Sequence, residues 1–179
     1  MLRVTGGVLK GRTISVPPGI IRPAMDRMRE SLFAVLGNLH GASFLDLFSG
    51  SGIIALEAAS RGAVHIEAVE ADRQKLASLI KNCSISPVRI NCHCLPAELF
   101  IQRAAHAYDF IFCDPPFPYQ HKHDLVTRIL NSRLMGSNSM LLIHYQKKEK
   151  INLQENELFL VQQDSRQYGN SVVDFFIKT

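Results

Sequence analysis

Phe44-Leu45-Asp46-Leu47-Phe48-Ser49-Gly50-Ser51-Gly52 carries an apolar run straight into a loop with two glycines, and a helical stretch from Ile53 to Arg61 follows. A strand that turns through glycine into a helix is the opening unit of a dinucleotide-type α/β fold, because glycine lets the backbone bend sharply and approach a ligand. Gly50, Gly52 and Ala55 also satisfy the loose pattern G-x-G-x-x-G/A. The strand-helix alternation continues outward from this unit. Ser43 to Phe48, Val64 to Glu70, Val88 to Cys92, Tyr108 to Cys113 and Met140 to Tyr145 read as strands, several of them continuous apolar runs of the buried parallel kind. Helical stretches at Asp72 to Cys83, Pro96 to Ala105 and His121 to Leu134 lie between them. The alternation predicts an α/β fold with a doubly wound, mostly parallel sheet, whose sites lie at the carboxyl ends of its strands.

Both termini depart from the alternation. Leu158 to Gln162 and Ser171 to Lys178, around a Tyr168-Gly169-Asn170 turn, predict an antiparallel hairpin at the sheet edge. Arg3-Val4-Thr5 and Thr13 to Val16 predict a small N-terminal hairpin appended to the main sheet. After Arg22-Pro23, Asp26 is placed to cap a helix running from Arg27 to about Gly37. The organisation expected is a basic extension over residues 1–40 joined to a domain over 41–179.

The 179 residues, 46% hydrophobic and 20% charged, suit one globular body, and no apolar run approaches the length of a membrane span. Met1 to Gly7 has no apolar signal core, so a cytoplasmic location is expected. Cys83, Cys92, Cys94 and Cys113 form no Cys-x-x-Cys pair and read as reduced thiols. In Cys92-His93-Cys94, strand alternation would set His93 on the face opposite the two thiols, with no second ligand pair, so no metal site is expected.

The charge is unevenly distributed. Arg3, Lys10, Arg12, Arg22, Arg27 and Arg29 face only Asp26 and Glu30 in the first thirty residues, so the whole net charge of +4 lies there. A basic segment on a neutral body predicts contact with a polyanion, most commonly nucleic acid. Lys147, Lys148 and Lys150 could extend that surface, and His121 and His123 read as a solvated helix start.

Three carboxylates mark the strand ends: Asp46 in the first strand, Glu70 at the end of the second and Asp114 after the fourth. The glycine loop alone does not choose between a nicotinamide cofactor and S-adenosylmethionine. Asp46 favours the latter, since a carboxylate there sits badly beside a pyrophosphate and well near the amino group or ribose end of a cationic sulfonium cofactor, and it can also bond to the loop's own N–H groups. Glu70 then suits the ribose hydroxyls. Asp114-Pro115-Pro116-Phe117 reads as an acceptor platform, in which two prolines offer carbonyls without N–H groups and an aromatic ring follows. A flat heterocycle could stack on Phe117 while Asp114 and the Pro115 carbonyl accept the hydrogens of its exocyclic amine.

Asp46-x-Phe48-x-Gly50-Ser51-Gly52, Glu70, Asp114-Pro115-Pro116-Phe117 and the block Arg22-Pro23-x-x-x-Arg27-x-Arg29-Glu30-Ser31-Leu32-Phe33 together resemble the bacterial small-subunit (16S) ribosomal RNA guanine-N2 methyltransferase family, the RsmD type. The likeness extends to Gly6-Gly7, Gly11-Arg12 and the closing Tyr168-Gly169-Asn170, nearly the whole length. It implies a Rossmann-like class I S-adenosylmethionine-dependent methyltransferase fold and methyl transfer to the N2 amine of a guanine in 16S rRNA, within an assembling small subunit, by a monomer. It implies cofactor contacts from Asp46, Phe48, Gly50, Ser51, Gly52, Glu70, Ala71, Pro96, Ala97 and Asp114. Asp114, Pro115 and Phe117 would then be catalytic, and Arg3, Lys10, Arg12, Arg22, Arg27 and Arg29 would face RNA. Pro96 stands where such proteins often have Asn or Asp, which leaves the adenine contact open. An adenine or protein-glutamine amine fits the platform chemistry almost as well. A nicotinamide oxidoreductase and a noncatalytic RNA-binding module are the more distant alternatives.

Overall fold

In the run Ser43–Leu47 (β3), Phe44 and Asp46 point to one side and Leu45 and Leu47 to the other, all four buried, as a central strand covered on both faces requires. The computed structural model describes residues 1–16, 24–149 and 160–179. In chain order, β1 (Leu2–Arg3), β2 (Thr13–Ile14) and α1 (Ala24–Leu36) precede β3. After it come α2 (Ile53–Ser60), β4 (His65–Val69), α3 (Arg73–Cys83), β5 (Ile90–His93), α4 (Ala97–Gln102), β6 (Phe110–Cys113) and α5 (Lys122–Leu130). The chain closes with β7 (Met140–Gln146), a 3-10 turn at Lys147–Glu149, β8 (Leu160–Tyr168) and β9 (Ser171–Lys178).

Seven strands form one sheet in the order β5-β4-β3-β6-β7-β9-β8. Strands β3 to β7 run parallel, and β9 and β8 add to the β7 edge antiparallel. The chain winds one way from β3 to β5 and then crosses to β6, so the topological switch lies between β3 and β6. One face packs Phe44, Ile66, Phe112, Leu142 and Phe175 with α1, α2 and α3. The other packs Leu47, Ile111, Cys113 and Ile143 with α4 and α5. The predicted Rossmann-like architecture with an antiparallel terminal hairpin is the observed one.

Helix α2 is buried along its whole length because the N-terminal segment covers its outer side. Ser60 Oγ donates to the Gly6 carbonyl (2.6 Å), the Val8 amide donates to the Ser60 carbonyl (2.8 Å), and the Thr5 amide donates to the Glu57 carboxylate. These bonds account for one departure from expectation. The N-terminal hairpin does not join the main sheet but forms its own two-stranded sheet against α2. Its residues Leu2, Val4 and Ile14 enter the same apolar cluster as α1 and α2.

Other departures are local. Asp26 does not precede α1 but lies in its first turn, accepting from Arg29 at 2.6 Å. Helix α5 ends at Leu130 instead of Leu134, with Asn131 as its C-cap. Strand β8 extends to Tyr168, beyond the expected Gln162, through a register shift between Gln162 and Asp164. The polar run Gln163 to Gln167 lies beyond the expected strand, yet an outer edge strand tolerates it because much of it meets water. Among the described residues, no helix is long and apolar enough to cross a membrane.

Candidate active site at the carboxyl edge of the sheet

The turn from β3 to α2 is tight. Phe48 adopts φ 65° and Gly50 φ 55°, and Gly52 caps α2 at φ 79°, all left-handed. Gly52 is required twice over, because a Cβ there would lie 2.7 Å from Leu79 Cδ1 and 2.9 Å from Cys83 Sγ. A Cβ on Gly50 would meet nothing within 4 Å, so that side of the loop is open to a ligand. Backbone groups carry much of the bracing. The Ser49 amide donates to the Val69 carbonyl (2.9 Å), Ser49 Oγ to the Asp46 carbonyl (2.7 Å) and the Gly52 amide to the Ser49 carbonyl (2.8 Å). Asn82 of α3 donates through Nδ2 to both the Ser51 carbonyl (2.9 Å) and the Ser15 carbonyl (2.8 Å), tying the loop to the N-terminal segment.

Two of the expected acids belong to this loop. Glu70 Oε2 accepts from the Gly50 amide and Oε1 from the Asp72 amide, both at 2.9 Å. Each oxygen retains a lone pair for a hydroxyl donor. Asp46 is buried and accepts from the Ala55 amide at 3.2 Å. Burial pushes its carboxyl up to about 8, with Asp114 and Glu70 adding to the rise. Asp46 is thus near enough to feel both other carboxylates, from the strand ends on either side of its own. At the third strand end Pro96 is the N-cap of α4, and its carbonyl accepts from Leu99 and Phe100 at 3.1 Å each. Ala97 is buried beneath it and Ala71 is exposed beyond Glu70.

Beside that loop, the Asp114 amide donates to the Leu47 carbonyl (3.4 Å), so the platform leaves the sheet next to β3. Asp114 Oδ1 lies 2.8 Å from Nδ1 of His144, and the imidazole stands edge-on to Phe117 with centroids 5.9 Å apart. Pro115 is buried, and the Pro116 carbonyl accepts from the Tyr119 amide at 2.8 Å. Lys122 is buried and donates to the carbonyls of Phe117 and Tyr119, both at 2.8 Å, with Glu149 2.9 Å away. Tyr119 donates its hydroxyl to Glu98 of α4 and meets the ring of Phe48 edge-on at 5.8 Å. Burial, then the bond to Glu98, raises the Tyr119 hydroxyl well above its ordinary value. Sequence reasoning missed His144, Lys122, Tyr119 and Glu98. The available signal was a histidine at the carboxyl end of the strand run next to the platform, and a lysine at the start of the helix that follows it.

The basic residues separate into two kinds. Arg3, Lys10, Arg12 and Arg27 are exposed on the N-terminal segment and α1, while Lys147 and Lys148 are exposed on the 3-10 turn. Arg29 is a correction. It is 0% exposed, donates Nη2 to the Arg3 carbonyl (2.8 Å) and to Asp26, and places Nε 3.7 Å from the buried Glu57 carboxylate. Glu57 is shared with Arg61 at 3.2 Å. Arg29 therefore neutralises a buried acid on α2 and is not available to RNA. Arg22, Pro23 and Lys150 lie outside the described residues. His93 points away from Cys92 toward Glu67 (3.1 Å) and Phe100, and among the described residues no three His, Cys, Asp or Glu side chains are grouped to hold a metal ion.

Residues 2–177 match the family described as Conserved hypothetical protein 95. A ribosomal RNA small subunit methyltransferase D from Buchnera aphidicola subsp. Acyrthosiphon pisum is 30% identical over 86% of this chain and 82% of its own. The solved structure of yhhF from Escherichia coli superposes with a TM-score of 0.89 at 25% identity, covering 99% of this chain and 97% of that one. The fold alone is shared with magnesium protoporphyrin IX methyltransferase from Synechocystis PCC 6803, solved with bound S-adenosylmethionine, at a TM-score of 0.64 and 12% identity over 91% of this chain and 87% of that one.

Proposed function

From the premise that this chain belongs to the ribosomal RNA small subunit methyltransferase D family, we propose that it transfers a methyl group from S-adenosylmethionine to the exocyclic N2 amine of a guanine in 16S rRNA. The observation that supports this reading is the placement of Asp46, Glu70 and Asp114 in or directly after the adjacent strands β3, β4 and β6, with Glu70 bonded to the Gly50 amide, the Asp114 amide bonded to the Leu47 carbonyl, and Pro115, Pro116 and Phe117 following at once. Family membership also removes the nicotinamide and noncatalytic readings.

The donor set fits the cofactor. Glu70 has free lone pairs for ribose hydroxyls, Gly50 leaves its side of the loop open, and Asp46 is a buried carboxyl whose ionised form a nearby cation would favour. Phe48, Ser51, Ala71 and Ala97 complete the expected lining, and with the Pro96 side chain lacking a hydrogen-bonding group the adenine amine is left to backbone acceptors. When bound, S-adenosylmethionine supplies an electrophilic methyl group on a sulfonium.

The guanine amine is a weak nucleophile because its lone pair is delocalised into the ring. Asp114 and the Pro115 carbonyl, accepting its two hydrogens, favour a pyramidal nitrogen whose lone pair faces the methyl group. The bound cofactor would supply the methyl group to that lone pair and would take back the electron pair of the bond it gives up, while this chain's own part is to hold the amine in line. The proton shed by nitrogen goes to the Asp114 carboxylate and from there to water. Phe117 stacks on the base, which must leave its own stack to reach the sheet edge. Arg3, Lys10, Arg12, Arg22 and Arg27 hold flanking phosphates, in the cytoplasm and on an assembling small subunit, with the protein acting as a monomer.

The test is methylation of naked 16S rRNA and of unmodified small subunits with labelled cofactor, followed by nucleoside analysis. N2-methylguanosine is the expected product. A label found in N6-methyladenosine, or in neither RNA, overturns the assignment.

A further inference from the structure

His144 belongs to β7, and its ring lies against the platform carboxylate although nothing in the sequence motif includes it. It is buried, with a side-chain exposure of 8%, and its two nitrogens have different surroundings. Nδ1 lies 2.8 Å from Asp114 Oδ1, whereas Nε2 is buried with no hydrogen-bond partner. The tautomer with its N–H on Nδ1 donates to Asp114 and places no unpaired N–H at the buried Nε2, whereas the other tautomer would.

We infer that His144 is a positioning residue: by donating Nδ1–H to Oδ1 it locks the Asp114 carboxylate so that Oδ2 alone faces the substrate amine, and its edge sets the plane of Phe117 on which the base stacks. This inference rests on the methyl-transfer reading above. It adds a division of labour that the platform motif does not contain. Oδ1 is occupied from within the sheet, so the proton shed by the amine lands on Oδ2. It leaves from the exposed side of Asp114, 27% accessible, and not through the imidazole, whose far nitrogen leads nowhere. The arrangement resembles other catalytic pairs in which a fixed partner orients an acid or base for one proton.

Asparagine and glutamine separate this role from packing. His144→Asn keeps an N–H near the place of Nδ1, while His144→Gln moves it toward Nε2. With both variants, methyl transfer to unmodified small subunits is measured beside binding of S-adenosylhomocysteine by calorimetry and the imidazole 15N shifts of the unaltered protein. The expected result is kcat lowered on the order of 10- to 100-fold for His144→Gln, with most of it recovered in His144→Asn. Cofactor-product affinity stays within about twofold in both, and 15N shifts show an Nδ1-protonated neutral ring. Equal losses in the two variants, normal kcat in His144→Gln, or an Nε2-protonated ring overturns the inference while leaving the methyltransferase reading intact. Absence of transfer by the unaltered protein overturns that reading, and the inference with it.

Discussion

The glycine loop and the Asp114 to Tyr119 loop lie next to each other at the carboxyl edge of the sheet, and they are fixed by different bonds. The first is braced by backbone bonds, Ser49 to Val69 and Gly52 to Ser49, together with the Glu70 and Asn82 side chains, which hold its Gly50 amide and Ser51 carbonyl. The second hangs on side chains from elsewhere in the chain, His144 on Asp114 and Lys122 on two carbonyls. The first set of bonds fixes the backbone of the turn from Ser49 to Gly52. The second set fixes the Asp114 carboxylate and the Phe117 and Tyr119 carbonyls from β7 and α5.

The sharpest way to break the contrast is to remove the platform's acid. Asp114→Ala is expected to lower methyl transfer by roughly 10²- to 10⁴-fold while S-adenosylhomocysteine still binds, because the glycine loop does not depend on it. Loss of cofactor binding in that variant, read by calorimetry, would merge the two loops into one unit.

Next in size is the support beneath the glycine loop. Arg29→Met leaves Glu57 under-neutralised inside α2 and should cost about 3–5 kcal/mol in denaturant unfolding. Arg27→Ala, on the exposed side of the same helix, should leave stability unchanged and reduce the slope of log affinity for rRNA against log salt by about one. Equal unfolding midpoints for the two variants would refute the separation between buried and exposed arginines.

On the platform side, Lys122→Met strands two carbonyls and should cost about 1–3 kcal/mol of stability. It should also raise KM for the RNA more than that for the cofactor. A rise confined to the cofactor KM would place Lys122 with the wrong loop.

The last effect is a pH dependence. Asp46 is raised from 3.8 to about 8 by burial, so between those values the folded protein holds a proton that the unfolded chain has lost. Its contribution to stability is complete below the ordinary carboxyl range and falls away as pH rises toward 8. Ligand-free protein should therefore show a melting temperature that declines from pH 5 to pH 8 more steeply than in Asp46→Asn. At neutral pH, cofactor binding should release a proton, which calorimetry in buffers of different ionisation enthalpy detects.

The same contrast explains what could be read from sequence. Residues 43–61 were legible because strand, glycines and helix are contiguous, and Glu70 and Asp114 follow their own strands directly. His144 was hidden because only the β6-β7 pairing brings it beside Asp114, and that neighbourhood is a fact of topology. Arg29 looked like its exposed neighbour Arg27 because its burial is decided by Glu57, on a different helix. Lys122 was read past for a similar reason: in a sequence it is one more charge at a helix start, and only packing encloses it. The polar β8 strand escaped because its stability comes from pairing with β9, not from an apolar face of its own.

One side chain, Asn82, holds the carbonyls of both Ser15 and Ser51. For protein engineering this makes the N-terminal segment a fitted part and not an interchangeable one. Transplanting residues 1–16 onto another methyltransferase would require α2 and the Asn82 position to travel with them, since the segment is keyed to the helix it covers and to the loop behind it. If the proposed role of Arg3, Lys10, Arg12 and Arg27 in holding phosphates is right, retargeting this scaffold to a different RNA is better attempted by recharging them in place.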